Sequence, residues 1–499
     1  MTNRKESHLA ELLPHGGQLF VGGDWVKPSS DALIDVVMPS TEEIFFRVAG
    51  ADEADMNRAV AAARAAFDRG EWPRLSHSQR AAYLIKLAEG LEARQAAAGE
   101  IWTSETGVVA GIAQHSGFLA SSFFRYYASL ADTFAFEERH EPGQGKAAFL
   151  VREPVGVAAV ILPWNAPLGL LSIKTAPALL AGCTVVIKMA PEAPTAGYLI
   201  AQIAKEIGLP PGVINVVTAD REVSELLVRH PGVDKVTFTG STAAGRRIGS
   251  ICGGRIARCT LELGGKSPAI VLDDYDIETV AQTISGSARM MTGQVCASLT
   301  RIIVSRNRHD DLVEALAAAF SKTRVGDPFD DASDMGPLAM ARQRDRVESY
   351  IAKGREEGAV LATGGGRPPH LNRGYYIEPT VFGNVDNAMT IAREEIFGPV
   401  LSVIPADSEK QAIEIANDSD YGLNASVFTN DATRAYQVAR QLRSGTVGHN
   451  AERMSFSIAF GGFKQSGIGR EGGVEGLMPF LETKTIIMDG EPNRDRPWG

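Results

Sequence analysis

Several things are scarce in this chain, and each scarcity closes off a class of function. Four cysteines in 499 residues are too few for a disulfide framework. Their positions, Cys183, Cys252, Cys259 and Cys296, follow no zinc-binding spacing, and no two of the nine histidines stand four apart, so no metal is expected. There is no basic excess: a net charge of −10 leaves nothing to neutralise phosphates, which speaks against a nucleic-acid partner. There is no long apolar run either. The stretch Val155–Leu162 falls far short of the roughly 20 residues that span a bilayer, so no membrane role is expected. No apolar signal core follows the opening Met-Thr-Asn-Arg-Lys-Glu-Ser-His, and a reducing cytoplasm is the expected compartment. What remains is ordinary for a globular protein, 44% hydrophobic and 22% charged, in a chain too long for a single core.

Residues 52–68 carry apolar side chains at helical intervals (Met56, Ala59, Val60, Ala63, Phe67), with Asp52 and Asp55 placed as a capping pair. Arg80–Ala98 reads as a second helix of the same kind. From residue 150 the pattern alternates. Val155–Leu162, Thr184–Lys188, Val213–Val217 and Lys235–Phe238 read as buried strands. Pro167–Leu180 and Thr195–Ile207 read as the helices between them, stopped by Gly182 and Gly208. Such alternation predicts a parallel sheet covered by helices. A second set follows, with strands at Thr300–Val304, near Ala359, at Ile377–Phe382 and at Val400–Pro405, and a helix from His309 to about Lys322. The fold class expected is α/β, with two doubly wound parallel-sheet domains.

Five motifs carry chemistry. Cys296 lies in Thr292-Gly293-Gln294-Val295-Cys296-Ala297-Ser298, and Glu262 stands in the otherwise apolar Leu261-Glu262-Leu263-Gly264-Gly265-Lys266. A thiol and a separate buried carboxylate suit a covalent intermediate that is then hydrolysed. Phe238-Thr239-Gly240-Ser241-Thr242-Ala243-Ala244-Gly245 joins a strand to a helix, where backbone N–H groups bind phosphate; a plain tight turn would use the same residues. Pro163-Trp164-Asn165 ends a strand, where open α/β sheets bind ligands, and the Asn165 amide suits an oxyanion. Glu394-Glu395-Ile396-Phe397-Gly398-Pro399 reads on composition alone as a solvated helix end.

In this order and separation, and together with Asn450 and Phe460-Gly461-Gly462-Phe463-Lys464-Gln465-Ser466-Gly467, these motifs resemble the aldehyde dehydrogenase family over almost the whole chain. The resemblance implies Cys296 as nucleophile, Glu262 as base, Asn165 (with the Cys296 N–H) as oxyanion donor, and Lys174 in support. For the cofactor it implies Pro163, Trp164, Lys188, Glu192, Gly240, Ser241, Gly245, Leu263, Glu395 and Phe397. The other three cysteines are expected to be inert and buried. Pro191 stands where relatives commonly carry an acidic residue on the adenine ribose, which predicts NAD with a weakened rejection of NADP.

The same resemblance places Leu119, Gly169, Leu170, Ile173, Met454 and Phe460 along the substrate tunnel. Those side chains favour an apolar aldehyde, whether aliphatic, terpenoid or aromatic; Arg453 is the nearby cation. A semialdehyde dehydrogenase, a CoA-acylating enzyme and a silent family member kept as a binding protein are the alternatives. The domains expected are 1–133 with 152–264 for the cofactor and 265–475 for catalysis. Residues 134–151 and 476–499 would form a small β arm. The hairpin about Pro142-Gly143-Gln144-Gly145 and the β-branched run Phe480–Met488 suit strands that pair subunits into a homodimer or homotetramer.

Overall fold

A computed structural model describes residues 12–493. The first sheet has the strand order Gly467–Ile468, Arg258–Glu262, Lys235–Thr239, Val157–Ile161, Thr184–Met189, Ile214–Thr218, Leu19–Val21, Asp24–Val26. Its five central strands run parallel. They are buried on both faces because the apolar residues are continuous rather than alternating. Ala158 and Val160 enter one core cluster, while Val157, Ala159 and Ile161 enter another on the opposite face. From Val157–Ile161 the chain adds strands in one direction, then returns to add Lys235–Thr239 and Arg258–Glu262 on the other side. The crevice at that reversal is where doubly wound sheets take ligands.

The second sheet orders Val360–Thr363, Thr380–Gly383, Val400–Ala406, Leu299–Ser305, Ser267–Val271, Asn424–Phe428 and Thr446–His449, parallel except at the first strand. It also buries both faces. Arg258–Glu262 leads through Leu263–Lys266 straight into Ser267–Val271. The C-terminal ends of the first sheet therefore meet the N-terminal ends of the second. The α/β class and the paired sheets follow the expectation from sequence.

Local signals hold in detail. Helix Glu53–Asp68 starts in a capping box made by Asp52 and Asp55. Helix Pro167–Ala181 ends at Gly182, whose φ of +100° only glycine adopts easily. One expectation fails: Arg80–Ala98 is not a single helix. His77–Glu92 and Gln95–Thr106 are separate, with non-helical backbone at Arg94, which reaches across to Glu206 at 2.6 Å. The apolar period runs through the break, so periodicity alone does not reveal it.

The arm is a three-stranded antiparallel sheet. Glu137–His140 pairs with Ala147–Pro154, and Leu481–Met488 pairs with Ala147–Pro154 along its full length. The last six residues of the expected arm segment 476–499 lie outside the described residues. The expected second unit is not confined to the second sheet. Gly467–Ile468 hydrogen-bonds to Arg258–Glu262 of the first, and Leu477 packs in the first sheet's core. Among the described residues no helix is long and apolar enough to cross a membrane.

Candidate active site

The junction between the sheets gathers the motif residues. Cys296 sits in the loop between the turn Met290–Gly293 and strand Leu299–Ser305, half-buried beside Phe460, Phe456, Leu423 and Val295. The loop is held from several sides. Met291 and Thr292 take positive φ (51° and 56°), an uncommon state for non-glycine residues. Thr292 donates its hydroxyl to the Gly336 carbonyl at 3.0 Å. The Gln294 side chain donates to Met291 O and accepts from Ala339 N–H, both at 3.0 Å. At Gly293 (φ +70°) a Cβ would collide with Gly398, so only glycine lets this loop lie against the Glu395–Pro399 segment.

Asn165 comes from the first sheet, just past Val157–Ile161. Its amide donates to the Gln294 carbonyl at 3.0 Å, and its own carbonyl accepts from the Trp102 indole at 2.9 Å. The amide is thereby fixed against the nucleophile loop, two residues from Cys296.

Glu262 ends Arg258–Glu262 and is enclosed. Among the described residues neither carboxylate oxygen has a hydrogen-bond partner. Desolvation, reinforced by the nearby Glu471, raises its pKa well above the ordinary carboxylate range, against an opposing pull from Lys174 and Arg470. A Cβ on Gly461 would stand 2.6 Å from a Glu262 oxygen, so the glycine leaves room for the carboxylate. Lys174 and Glu471 form a buried ion pair behind it, with Thr237 3.4 Å from both partners.

Cys296 is surrounded by carboxylates. Burial raises its thiol pKa, and Glu395, Glu262 and Glu452 raise it further. Burial likewise moves Glu395 and Glu452 up to about 7.

The residues expected at the cofactor are placed as follows. Ser241 caps helix Thr242–Arg255, accepting the Ala244 N–H at 3.3 Å. A Cβ on Gly245 would collide with Leu263. Gly240 donates its N–H to the Glu262 carbonyl at 3.0 Å, tying the turn to the base strand. Lys188 is buried near the end of Thr184–Met189 and shifts down to about 8, because desolvation outweighs Glu192 and Asp220. Glu192 is engaged in an ion pair with Arg342. Glu395 accepts the Gly265 N–H at 3.1 Å. Phe397, at φ +61°, presents its ring edge-on to Trp164, which follows Pro163, with centroids 5.5 Å apart. The composition-based reading of Glu394-Glu395 as a solvated helix end does not hold for Glu395, which is half-buried and tied to Gly265.

On the substrate side Ile173 is buried, and Gly169 and Leu170 are half-buried on the same helix, Leu170 against the first sheet's core. Leu119 and Met454 are exposed, which puts them at a rim rather than inside. Arg453 is exposed, with its stem over Gly448. Phe123 and Phe456 were not read from sequence; they extend the aromatic wall in the series Phe123–Phe456–Phe460, with centroids 5.4 and 5.1 Å apart. Glu452 was also missed, because a Glu in a polar loop looks solvated until the loop folds inward. Glu471 had no role from sequence and meets Lys174 only in the fold. Asn450 is a staple, bonded through its amide to both backbone groups of Thr429. Cys259 corrects the expectation of three inert buried thiols: it is half-exposed and its side chain meets Cys252.

Comparison with known proteins agrees with this arrangement. The family model described as the aldehyde dehydrogenase family matches residues 25–486. Geranial dehydrogenase of Castellaniella defragrans is 44% identical, over 95% of this chain and 98% of that protein. An aldehyde dehydrogenase of Mycobacterium tuberculosis complexed with NAD+ superposes with a TM-score of 0.92 at 44% identity, covering 95% of this chain and 98% of that one. A mutant aldehyde dehydrogenase C of Pseudomonas syringae, complexed with NAD+ and octanal, has a TM-score of 0.92 at 39% identity, with 96% and 98% covered. With thiol, amide and carboxylate brought to one junction, and with matches over nearly all its length, the chain belongs to the aldehyde dehydrogenase family.

Proposed function

We propose that the chain oxidises an apolar aldehyde to its carboxylic acid through a covalent intermediate on Cys296, with NAD+ as the cofactor. The observation that carries this reading is Glu262: an enclosed carboxylate with no hydrogen-bond donor among the described residues, at the junction that holds Cys296 and the Asn165 amide. An unsatisfied buried carboxylate is costly, and a base for water is a use that requires its oxygens free.

The crevice fits the cofactor. The helix start at Ser241 offers backbone N–H groups to a pyrophosphate, Gly245 admits no side chain, and Lys188 and the half-buried Glu395 stand where sugar hydroxyls can be bonded. When bound, NAD+ supplies the hydride acceptor. Cys296 Sγ attacks the carbonyl carbon as its proton departs, and the Asn165 amide, with the Cys296 N–H, stabilises the oxyanion. After oxidation the acyl group remains on sulfur as a thioester. Glu262 takes a proton from water, the resulting hydroxide displaces the thiolate, and the acid leaves. The buried Lys174–Glu471 pair acts on Glu262 through its charges, Glu471 favouring the protonated carboxyl and Lys174 the carboxylate.

The aromatic wall Phe123–Phe456–Phe460 supports an apolar substrate, in line with relatives named for geranial and complexed with octanal. A semialdehyde would need a buried cation for its carboxylate, and Arg453 is exposed. A CoA-acylating enzyme would not need Glu262. Self-association through the arm and a cytoplasmic setting complete the reading. NADH production should be measured with straight-chain, terpenoid, aromatic and acidic aldehydes. Turnover with the apolar members and none in Cys296→Ala is expected; turnover by folded Cys296→Ala would overturn the covalent mechanism.

A further inference from the structure

Cys252 and Cys259 lie outside the reaction just described, and they are side-chain neighbours. Cys252 is fully buried in the last turn of helix Thr242–Arg255, and Cys259 is half-exposed on strand Arg258–Glu262. Both belong to the apolar cluster between that helix and the sheet. The chain between them makes a tight reversal, with Ile256 in the left-handed region at φ +56° and Ala257 N–H bonded to the Cys252 carbonyl at 2.9 Å. That hydrogen bond closes the reversal, and Leu261, on the same strand face as Cys259, packs against Gly249 one turn before Cys252.

Their chemistry differs from that of Cys296. The Cys252 thiol hydrogen-bonds to Cys259 and, with some help from Lys235, lowers the Cys259 pKa to about 6 against the effect of burial. Cys252 itself is raised, first by that same contact. The nucleophile Cys296 is raised by burial and by three carboxylates. Of the two neighbouring sulfurs, Cys259 is therefore the one more readily ionised. A partly exposed thiolate beside a second thiol has the features of a site that reacts with peroxides.

We propose that Cys252 and Cys259 form a second, non-catalytic thiol site that takes a hydroperoxide and closes reversibly to a disulfide. In the first step Cys259 Sγ attacks a peroxide oxygen. An S–O bond forms, the O–O bond breaks, and the hydroperoxide leaves as its alcohol, or as water from hydrogen peroxide, with one proton. Sulfur is oxidised by two electrons to the sulfenic acid. In the second step Cys252 Sγ attacks that sulfur. The S–S bond forms, the S–O bond breaks, and hydroxide leaves as water with the Cys252 proton. A dithiol returns the pair to the reduced state by exchange. The crosslink would join the end of the helix that Ser241 caps to the strand that ends in Glu262.

The test uses the full-length Cys296→Ala protein, so that the nucleophile contributes no thiol. On brief treatment with equimolar hydrogen peroxide, the three remaining thiols, titrated in denaturant, should fall to one, and dithiothreitol should restore them. Peptide mapping without reductant should join the segments carrying Cys252 and Cys259. In Cys252→Ser a trapping dione should label Cys259 as its sulfenic acid, and in Cys259→Ser the rapid thiol loss should vanish. An unchanged thiol count, a crosslink involving Cys183, or a Cys259 driven to sulfinic acid beside a free Cys252 would each overturn the proposal. The count and the map in the Cys296→Ala protein need no change at either proposed cysteine. None of these readouts depends on aldehyde turnover, so failure here is distinct from failure of the proposed oxidation.

Discussion

At the scale of single residues, three carboxylates and one thiol share a small volume, and their protons decide the chemistry. Glu262 must be ionised to take a proton from water, yet burial raises its pKa. Turnover limited by deacylation should therefore rise as pH rises through the Glu262 pKa, and level off above it. Glu262→Gln keeps the shape and loses the base. We expect kcat to fall by about 100-fold or more, with an acyl-enzyme visible by intact mass; normal turnover would remove Glu262 from the role. Glu192, which we propose lies at the cofactor's adenine ribose, is paired with Arg342. A guanidinium there can meet a 2′-phosphate, while a carboxylate repels one. Arg342→Ala should thus weaken NADP binding and leave NAD binding less affected. Fluorescence titration of each dinucleotide measures this, and an equal loss for both would exclude Arg342 from the discrimination.

At the scale of elements, the site depends on loops held by specific contacts. The nucleophile loop is fastened to Gly336, Ala339 and Gly398, and the base strand to the Ser241 turn through Gly240. Helix Thr195–Glu206 begins on another buried carboxylate. Glu105 accepts the Thr195 N–H at 2.9 Å, its other oxygen is unpartnered, and burial raises its pKa to about 8. Between the unfolded carboxylate range and about 8, the folded state keeps a proton that the unfolded state releases. Stability contributed by that proton is whole at low pH and is lost as pH rises through this window, by about 1.4 kcal/mol per pH unit at most. Glu105→Gln retains an acceptor without the titration. It should flatten the dependence of Tm on pH between 5 and 8, and a curve parallel to that of the parent would count against the assignment.

At the scale of the whole molecule, two parallel sheets abut end to end and an arm projects from the first. Leu481–Met488 is an edge strand with mostly exposed side chains, and Ile487 is 58% exposed. An edge of this kind is normally covered. We expect a homodimer or homotetramer by light scattering, with the arm at the interface. Truncation after Pro479 should yield aggregates or inactive monomers. An active full-length monomer would refute this expectation.

Sequence by itself determined what depends on local pattern. Continuous apolar runs marked the two-sided strands, the capping box and Gly182 marked helix ends, and the glycine-bearing motifs marked the turns where chemistry sits. Gly293 and Gly245 are legible because backbone close approach restricts residue type wherever it occurs. Tertiary structure alone decided what depends on distant chain segments meeting. Arg94, at the helix break, meets Glu206 more than 100 residues away only in the fold. Glu452 and Glu471 become buried only when their loops fold over Cys296 and Lys174, and Cys259 meets Cys252 only once helix packs on strand. Burial and neighbouring charge set each of these groups' protonation, and neither is a property of a residue's place in the chain.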